Sequence, residues 1–425
     1  MNKASLLIVI LATSFLPFTF ADTILLKNGH LITAGESGTL NKGDVLIVDN
    51  TIAQVAENIA IPKGAKVIDL TGKIVTPGFI NAETSLGITE ISGGANASET
   101  SSNDKDFTAA YNVADIINPY STAVPIARRG GVSSAIVAPR SSKDSHYAGL
   151  GAWYSTHDSK QPQWIVSGKV LYWDMKAISS GRGATLPRLR AELADAIAFS
   201  KDEGSANVSS YKAKRWSLFD LQALAPAMQG KTPLAFRVNR ATDITAILKM
   251  VAGTDIQAVI VGGAEAWMVA DSIAKAKVPV LLNPTDNLPK NFDVIHAINE
   301  NAAILHKAGV PIIIGGATSA HDSGKIRYFA GRAVANGLPE DIAIQAITST
   351  PARVFNLTNV GTIAKGMRAD IAIWDGDPLE PLSQIIALYI NGEAQSLVTR
   401  QDLLEQRYIH AASNYFSNTA AKEQQ

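Results

Sequence analysis

The side chains best able to do chemistry in this chain sit in a few short settings. In TPGFINAETSLG, residues 76–87, Asn81, Glu83 and Ser85 are spaced by two. On an extended strand that spacing puts all three on one face and Ile80 and Ala82 on the other. In PLAFRVNRATDI, residues 233–244, Ala235, Arg237 and Asn239 share a face in the same way, opposite Leu234, Phe236 and Val238. His146 lies in SSKDSHYAGLG, and His321 and Asp322 lie in ATSAHDSG. Glu265 lies in IVGGAEAW. A histidine beside a carboxylate can move a proton in a hydrolytic reaction. His146, His321 and Asp322, with Glu83 and Glu265, are therefore the catalytic or binding candidates. The same residue types in polar loops are also read as solvated side chains. His30, His296, His306 and His410 read as structural.

Those side chains need elements to hold them. Residues 77–360 alternate strand-like and helix-like segments. The strand candidates are Phe79–Ser85, Val132–Ala138, Trp164–Leu171, Leu234–Asn239, Ala258–Val261, Val278–Leu282 and Pro311–Ile314. The helical candidates include Leu186–Lys201, Thr242–Ala252, Ala264–Ala276, Asn291–Ala308 and Pro339–Ser349. Such alternation implies parallel pairing with right-handed crossovers, and eight units close a (β/α)₈ TIM barrel. Seven strands can be placed, and the third and fourth units fall somewhere in 140–230. Strand ends and the loops after them carry chemistry in such barrels, which puts His146 and His321 at the mouth. The Gly-, Ser- and Asn-rich segment 88–115 either lies over that mouth or is a surface excursion.

Both chain ends have a different texture. ILLKNGHLIT, DVLIVDNTIAQVA and AKVIDLTGKIV near the start, and GTIAKGMRADIAIWDGDP and ALYINGEAQSLV near the end, are short alternating strands divided by turn residues. They predict one composite β-sandwich from 22–75 plus 356–410, around a barrel at 76–355. Inside it, the apolar members of Leu46-Ile47-Val48 and Ile371-Ala372-Ile373-Trp374 are expected to meet. Residues 411–425 read as a flexible tail.

The chain has 425 residues, 38 Lys+Arg against 38 Asp+Glu, and no cysteine. Zero net charge gives no electrostatic reason to expect nucleic acid as partner. The missing thiols remove disulfides, cysteine–zinc sites and cysteine nucleophiles. Met1-Asn2-Lys3, the apolar run to Phe20 and the small residue Ala21 read as a secretory signal peptide at 1–21, with an uncleaved anchor as the alternative. This predicts a secreted protein, periplasmic in a Gram-negative source, with no membrane contact after cleavage.

The stretch 76–87 resembles the first barrel strand of the amidohydrolase superfamily, whose segment reads roughly PG-(F/L)-I-D-x-H-x-H. The likeness to its imidazolonepropionase-like branch extends to both flanks. Gly72-Lys73-Ile74-Val75-Thr76-Pro77-Gly78 match the entry pattern. Ala346-Ile347-Thr348, Pro351-Ala352, Gly361, Lys365-Gly366, Ala369-Asp370 and Trp374-Asp375-Gly376-Asp377-Pro378 match the closing pattern. The resemblance implies a hydrolase of C–N bonds in cyclic amides, ureas or dipeptides, using zinc or another divalent metal. It also implies that the ligand positions have changed. Glu83 and Ser85 replace the HxH pair, Arg237 the fifth-strand His, Gly262 the sixth-strand His and Ala317 the eighth-strand Asp. Alanine supplies no ligand, and arginine is not deprotonated to bind a metal.

No cofactor is therefore expected. Glu83 and Arg237 would face each other at the vacated position. They are either a structural, bidentate ion pair, or Arg237 stays available, with Glu83 and Glu265, to hold a ligand. The expected function is a catalytically degenerate binding or partner subunit. Its ligand would be a small carboxylate or amide, and its assembly a homo-oligomer or a complex with a related amidohydrolase. The alternative is an active hydrolase with a site rebuilt at the barrel mouth.

Overall fold

A computed structural model describes residues 23–90, 98–175, 181–201 and 216–409. The segments 1–21 and 411–425 assigned above to a signal peptide and a tail lie outside the described residues, as does His410.

The described part of the chain begins with short strands: β1 (Thr23–Ile32), β2 (Thr39–Val48), β3 (Thr51–Ala56), β4 (Lys66–Asp69) and β5 (Ile74–Pro77). Three more come from the far end: β14 (Ile371–Trp374), β15 (Ile385–Ile390) and β16 (Glu393–Ala394). They form one sheet in the order β16-β15-β14-β5-β1-β2-β3, with β4 also paired to β1. The two ends join where β14 runs antiparallel to β5, Ile371 opposite Pro77 and Trp374 opposite Ile74. Alternation sorts the side chains of β14. Ile371 and Ile373 pack with Leu26, Ile47 and Val75 in the small core. Trp374 does not join Ile47. It faces the larger barrel core, stacks on Phe79 at 5.4 Å between ring centroids, and donates its indole N–H to Thr76 Oγ1 at 3.1 Å. One strand thus fastens the sheet to the barrel.

The second sheet has eight strands in chain order. They are β6 (Phe79–Thr84), β7 (Val132–Val137), β8 (Tyr147–Ser155), β9 (Ile165–Asp174), β10 (Leu234–Val238), β11 (Ala258–Gly262), β12 (Val280–Leu282) and β13 (Ile312–Ile314). Ser85 N–H donates to Thr318 O at 2.8 Å across the seam between the first and last strands, so the sheet closes into a near-complete barrel. Its interior holds Ile80, Ala82, Tyr172, Ala235, Val259 and Ile313, and Phe355 belongs to the same buried cluster. Phe79, Leu234, Phe236 and Ile260 point outward to the helical layer.

Two expectations fail here. The strands are not all parallel, because β8 is antiparallel to both β7 and β9. No α-helix lies between β7 and β9, and antiparallel neighbours need no crossover. This is why the third unit could not be found as a strand–helix pair. Because β8 runs backwards, its first residue, Tyr147, lies opposite Trp173 at the mouth end of β9. The other failure is helical. Residues 291–300 are turns, and only Asn301–Lys307 forms the helix α6.

The remaining described helices are α1 (Ala123–Arg129), α2 (Arg182–Lys201), α3 (Leu218–Met228), α4 (Ala241–Val251), α5 (Ala270–Ala276), α7 (Ile326–Val334), α8 (Glu340–Ala346) and α9 (Ser349–Val354). The amphipathic α4 shows how they pack, burying Ile244, Ile247, Leu248 and Val251 at helical spacing.

Candidate functional site

The barrel mouth opens into a cavity of about 570 Å³. Arg237, near the end of β10, sits in its wall with every guanidinium nitrogen engaged. Nε donates to Glu83 Oε1 at 2.6 Å, Nη1 to Asp174 Oδ1 at 2.8 Å and Nη2 to the Pro139 carbonyl at 2.9 Å. The guanidinium lies 4.2 Å from the centroid of the Tyr172 ring. The expected Glu83–Arg237 contact is present, but it is not bidentate. The second arm goes to Asp174, which the sequence reading did not single out. Each guanidinium nitrogen is tied to the protein, which fixes Arg237 in the scaffold and leaves only the second N–H of Nη1 and of Nη2 to face a ligand.

Asp174 closes the network. Its Oδ2 accepts from the Ser141 amide at 3.1 Å and the Ser141 hydroxyl at 2.5 Å. Burial pushes this carboxyl upward, but the Arg237 charge and the Ser141 hydrogen bonds outweigh it and hold the group below its ordinary value. Burial raises the Arg237 network's neighbour Tyr172 far above the phenol range, aided by the Glu83 charge, so its hydroxyl stays protonated.

Glu83 reaches this network because strand β6 is irregular. Strict alternation would put Asn81, Glu83 and Ser85 inside. Instead Ile80 and Ala82 fill the barrel interior. Asn81 turns sideways and donates to the Ala317 carbonyl at 2.9 Å. A register shift between Asn81 and Thr84 then brings Glu83 and Ser85 to the cavity.

Of the positions that the resemblance matched to metal ligands, Glu83, Ser85, Arg237 and Gly262 line one cavity. Ala317 does not line it and is buried in the outer core, while Gly316 and Thr318 on either side reach the cavity. Two glycines shape the floor. Gly262 has φ +93°, and a Cβ there would stand 2.6 Å from Asn239 Oδ1. Gly316 has φ +101°, and a Cβ there would stand 2.4 Å from Asn283 Cγ. Each glycine makes room for an asparagine. The oxygens of those asparagines are turned inward. Asn239 Oδ1 accepts from Ala264 N–H at 3.4 Å, and Asn283 Oδ1 accepts from Thr285 N–H at 3.0 Å. What they can offer a ligand is their NH₂ groups. The cavity also presents the hydroxyls of Ser85 and Thr318, the exposed Arg140 cation, and the carboxylate of Asp286, which pairs with Lys290.

This donor set does not fit a divalent metal held by histidines and carboxylates. The carboxylates of Glu83 and Asp174 are committed to Arg237, and among the described residues no three His, Asp or Glu side chains gather as a metal-binding group.

The other candidates are not brought together. His146 is buried, stacks on Trp173 at 5.2 Å, and its Nδ1 donates to the Asp174 carbonyl at 2.8 Å, but it lines a different cavity. His321 Nε2 donates to the Glu90 carbonyl at 2.8 Å, and Asp322 pairs with Lys325 at 2.7 Å, both on the exposed surface. Glu265 is buried, and accepts from the Ala241 amide at 3.1 Å, at the start of α4, and from His296 Nδ1 at 3.1 Å. It ties α4 to the 291–300 turns instead of facing Glu83. Asp174, Asn283 and Ser141 were missed, and Asn239 was placed on the face of Arg237 but given no role. Two signals were available: the strand candidate Trp164–Leu171 stopped three residues before Asp174, and Gly-Gly-Ala recurs after two apolar strands, at 262–264 and 315–317.

A mixed α/β fold with a near-closed barrel and a site at its mouth defines the class. Residues 241–398 match the sequence model of the Amidohydrolase family, so this segment is similar to that family. A solved amidohydrolase from Thermotoga maritima MSB8 aligns over 88% of this chain and 99% of its own, with TM-score 0.76 and 24% identity. The Amidohydrolase tasK of Hapsidospora irregularis is 20% identical over 83% of this chain and 40% of its own length. The 5-methylthioadenosine/S-adenosylhomocysteine deaminase of Thermococcus onnurineus is 47% identical over 15% of this chain and 14% of its own. The chain thus covers much less than two thirds of either of these two relatives. Among the described residues no helix is long and apolar enough to cross a membrane.

Proposed function

We propose that this chain is an exported member of the superfamily, of the imidazolonepropionase-like branch, that binds a small ligand at the barrel mouth without metal-assisted hydrolysis. The observation that supports this is the Arg237 network. A guanidinium held by Glu83, Asp174 and Pro139 takes the place where the superfamily's resemblance puts a metal. A guanidinium supplies positive charge but cannot generate a hydroxide nucleophile. The free groups of the cavity then decide the ligand. The NH₂ groups of Asn239 and Asn283 and the Arg140 cation favour a small carboxylate or an amide carbonyl, both acceptors.

Two measurements test this. Elemental analysis of dialysed protein is expected to find far less than one zinc, iron or manganese per chain; about one per chain would sink the reading. Calorimetry with hydantoin and with glycylglycine is expected to show binding without turnover. Asn283→Ala is expected to weaken it by up to about tenfold, the loss of one hydrogen bond. Steady release of hydrolysed product by metal-free protein would favour the rebuilt hydrolase instead.

A further inference from the structure

A cavity of about 290 Å³ lies at the end of the barrel away from the mouth. Three stretches of chain wall it. The first is α1 with the turn before it, which leads towards the start of β7. The second is the turn 156–160 after β8, whose last residue, Ser155, lies opposite Ser134 near the start of β7. The third is the segment 396–403 beyond β16. Among the described residues none lines both this cavity and the mouth.

Three observations characterise this space. The first is a buried cation that is not fully satisfied. Arg128 lines the cavity and is 3% exposed. Its Nη1 stands 2.6 Å from Asp158 Oδ1, but its Nε has no hydrogen-bond partner. Buried polar atoms in a folded protein are nearly always satisfied. A guanidinium N–H can only donate, so the group that completes it must be an acceptor.

The second observation is charge. Lys160 and Arg400 line the cavity, are exposed, and form no ion pair among the described residues. Asp158 is the one carboxylate among the described lining residues, and it is committed. It pairs with Arg128, and its Oδ2 accepts from the Ser396 amide at 3.1 Å. Burial raises the Asp158 carboxyl, but Arg128, the Ser396 amide and Lys160 outweigh it and hold the group below its ordinary value. Ionised Asp158 balances Arg128 and leaves the charges of Lys160 and Arg400 over. Two acids outside the lining are turned elsewhere. Glu393 approaches His157 Nε2 at 3.3 Å, and Asp402 is held by Arg129 and Thr399.

The third observation is apolar surface. Tyr120, Val124, Pro125, Val398 and Leu403 line the same space. Tyr120, Val398 and Leu403 remain 73%, 51% and 57% exposed, so apolar area lies uncovered beside the cations. Lys160 Nζ is 5.3 Å from the centroid of the Tyr120 ring. A bare inorganic anion would meet the cations and leave this wall wet. A neutral apolar molecule would leave Arg128 Nε unmet and two cations unbalanced. An anion with an apolar body uses all three features.

We propose that this basal cavity binds an organic carboxylate with an aryl or alkyl body. The carboxylate is placed among Arg128 Nε, Lys160 and Arg400, and the body lies against Tyr120, Val398 and Leu403. The site does not depend on what the mouth cavity holds.

The test is calorimetric titration of the full chain with 4-phenylbutyrate, 4-phenylbutan-1-ol and acetate, which separate the body from the charge. Asn283→Ala protein is titrated beside the parent, because the mouth is itself read as a carboxylate site. The tight binding of 4-phenylbutyrate is expected to be the same in both. The alcohol and acetate are each expected to bind at least about tenfold more weakly. Lys160→Gln with Arg400→Gln changes two exposed side chains. The double variant is expected to weaken 4-phenylbutyrate by about tenfold at an unchanged melting temperature. Raising salt from about 0.05 M to about 0.5 M is expected to weaken binding in the parent and to change it little in the double variant. No binding of 4-phenylbutyrate at millimolar concentration, equal binding of the alcohol, or parental affinity in the double variant overturns the proposal. Loss of the binding in Asn283→Ala overturns it too, since that places the ligand at the mouth.

Discussion

A Cβ at position 262 would stand 2.6 Å from the Oδ1 of Asn239, so the sixth barrel strand can end where it does only as glycine. The backbone there, at φ +93°, adds a second barrier to any side chain. Gly262→Ala is therefore expected to lower stability by about 1–3 kcal/mol in urea unfolding. Gly262→His, which supplies the histidine that the resemblance expects there, is expected to be no better and to bind no zinc. In an Asn239→Gly background the clash disappears and only the backbone strain remains, so the alanine penalty is expected to shrink. An alanine variant as stable as the parent would show that the glycine is incidental.

Arg237 is the keystone of two buried carboxylates. Arg237→Met strands Glu83 and Asp174 and is expected to cost about 3–5 kcal/mol. Neutralising both partners as well, with Glu83→Gln and Asp174→Asn, is expected to recover a substantial part of that loss. Chemical denaturation of the single and triple variants measures both. A single variant with near-parental stability would mean that solvent already screens the network.

The Asp174 carboxyl is held below its ordinary value in the folded chain. The sign follows from linkage. The folded state binds this proton less readily than the unfolded chain, so the stabilisation is complete above the unfolded carboxylate value of about 3.9. It is lost as pH falls through the folded value. Stability measured from neutral pH downward is expected to hold until about pH 4 and then to drop. Asp174→Asn is expected to flatten that acid limb while lowering stability at neutral pH. An identical acid limb in the variant would assign it to other groups.

Removing everything after Gly361 takes away β14 and the Trp374 ring stacked on Phe79. It also takes Ile363, Ile371 and Ile373 from the core around Ile47 and Val75. The remaining N-terminal strands are too few to bury both faces. Insoluble or protease-sensitive protein is expected. A soluble truncation that melts cooperatively near the full-length temperature would show that the ends fold independently.

Much of this fold is legible because its signals are local. The runs AVIV, VLL and III are apolar and rich in β-branched residues, and each is a strand in the barrel. Parity on β10 held, since Ala235 faces the interior while Leu234 and Phe236 face the helices. Parity on β6 failed because one register shift moved Glu83 relative to Ile80, and a bulge has no composition of its own. The backward strand β8 was missed for a related reason. YAGLGAWYS carries the residues of a strand, but nothing local states its direction.

By itself the sequence determined the scaffold, the shared sheet of the two chain ends, and the residue types that stand at Glu83, Ser85, Arg237, Gly262 and Ala317. These depend on residue type and short-range order, which a chain displays openly. Only the tertiary structure decided which partners those residues meet. Arg237 meets Asp174 across 63 positions and Glu83 across 154, and its third nitrogen meets a backbone carbonyl that no sequence pattern marks. Whether a charged group is free or spent depends on the partners that folding brings within about 3 Å of it, and those partners are set by packing over the whole barrel.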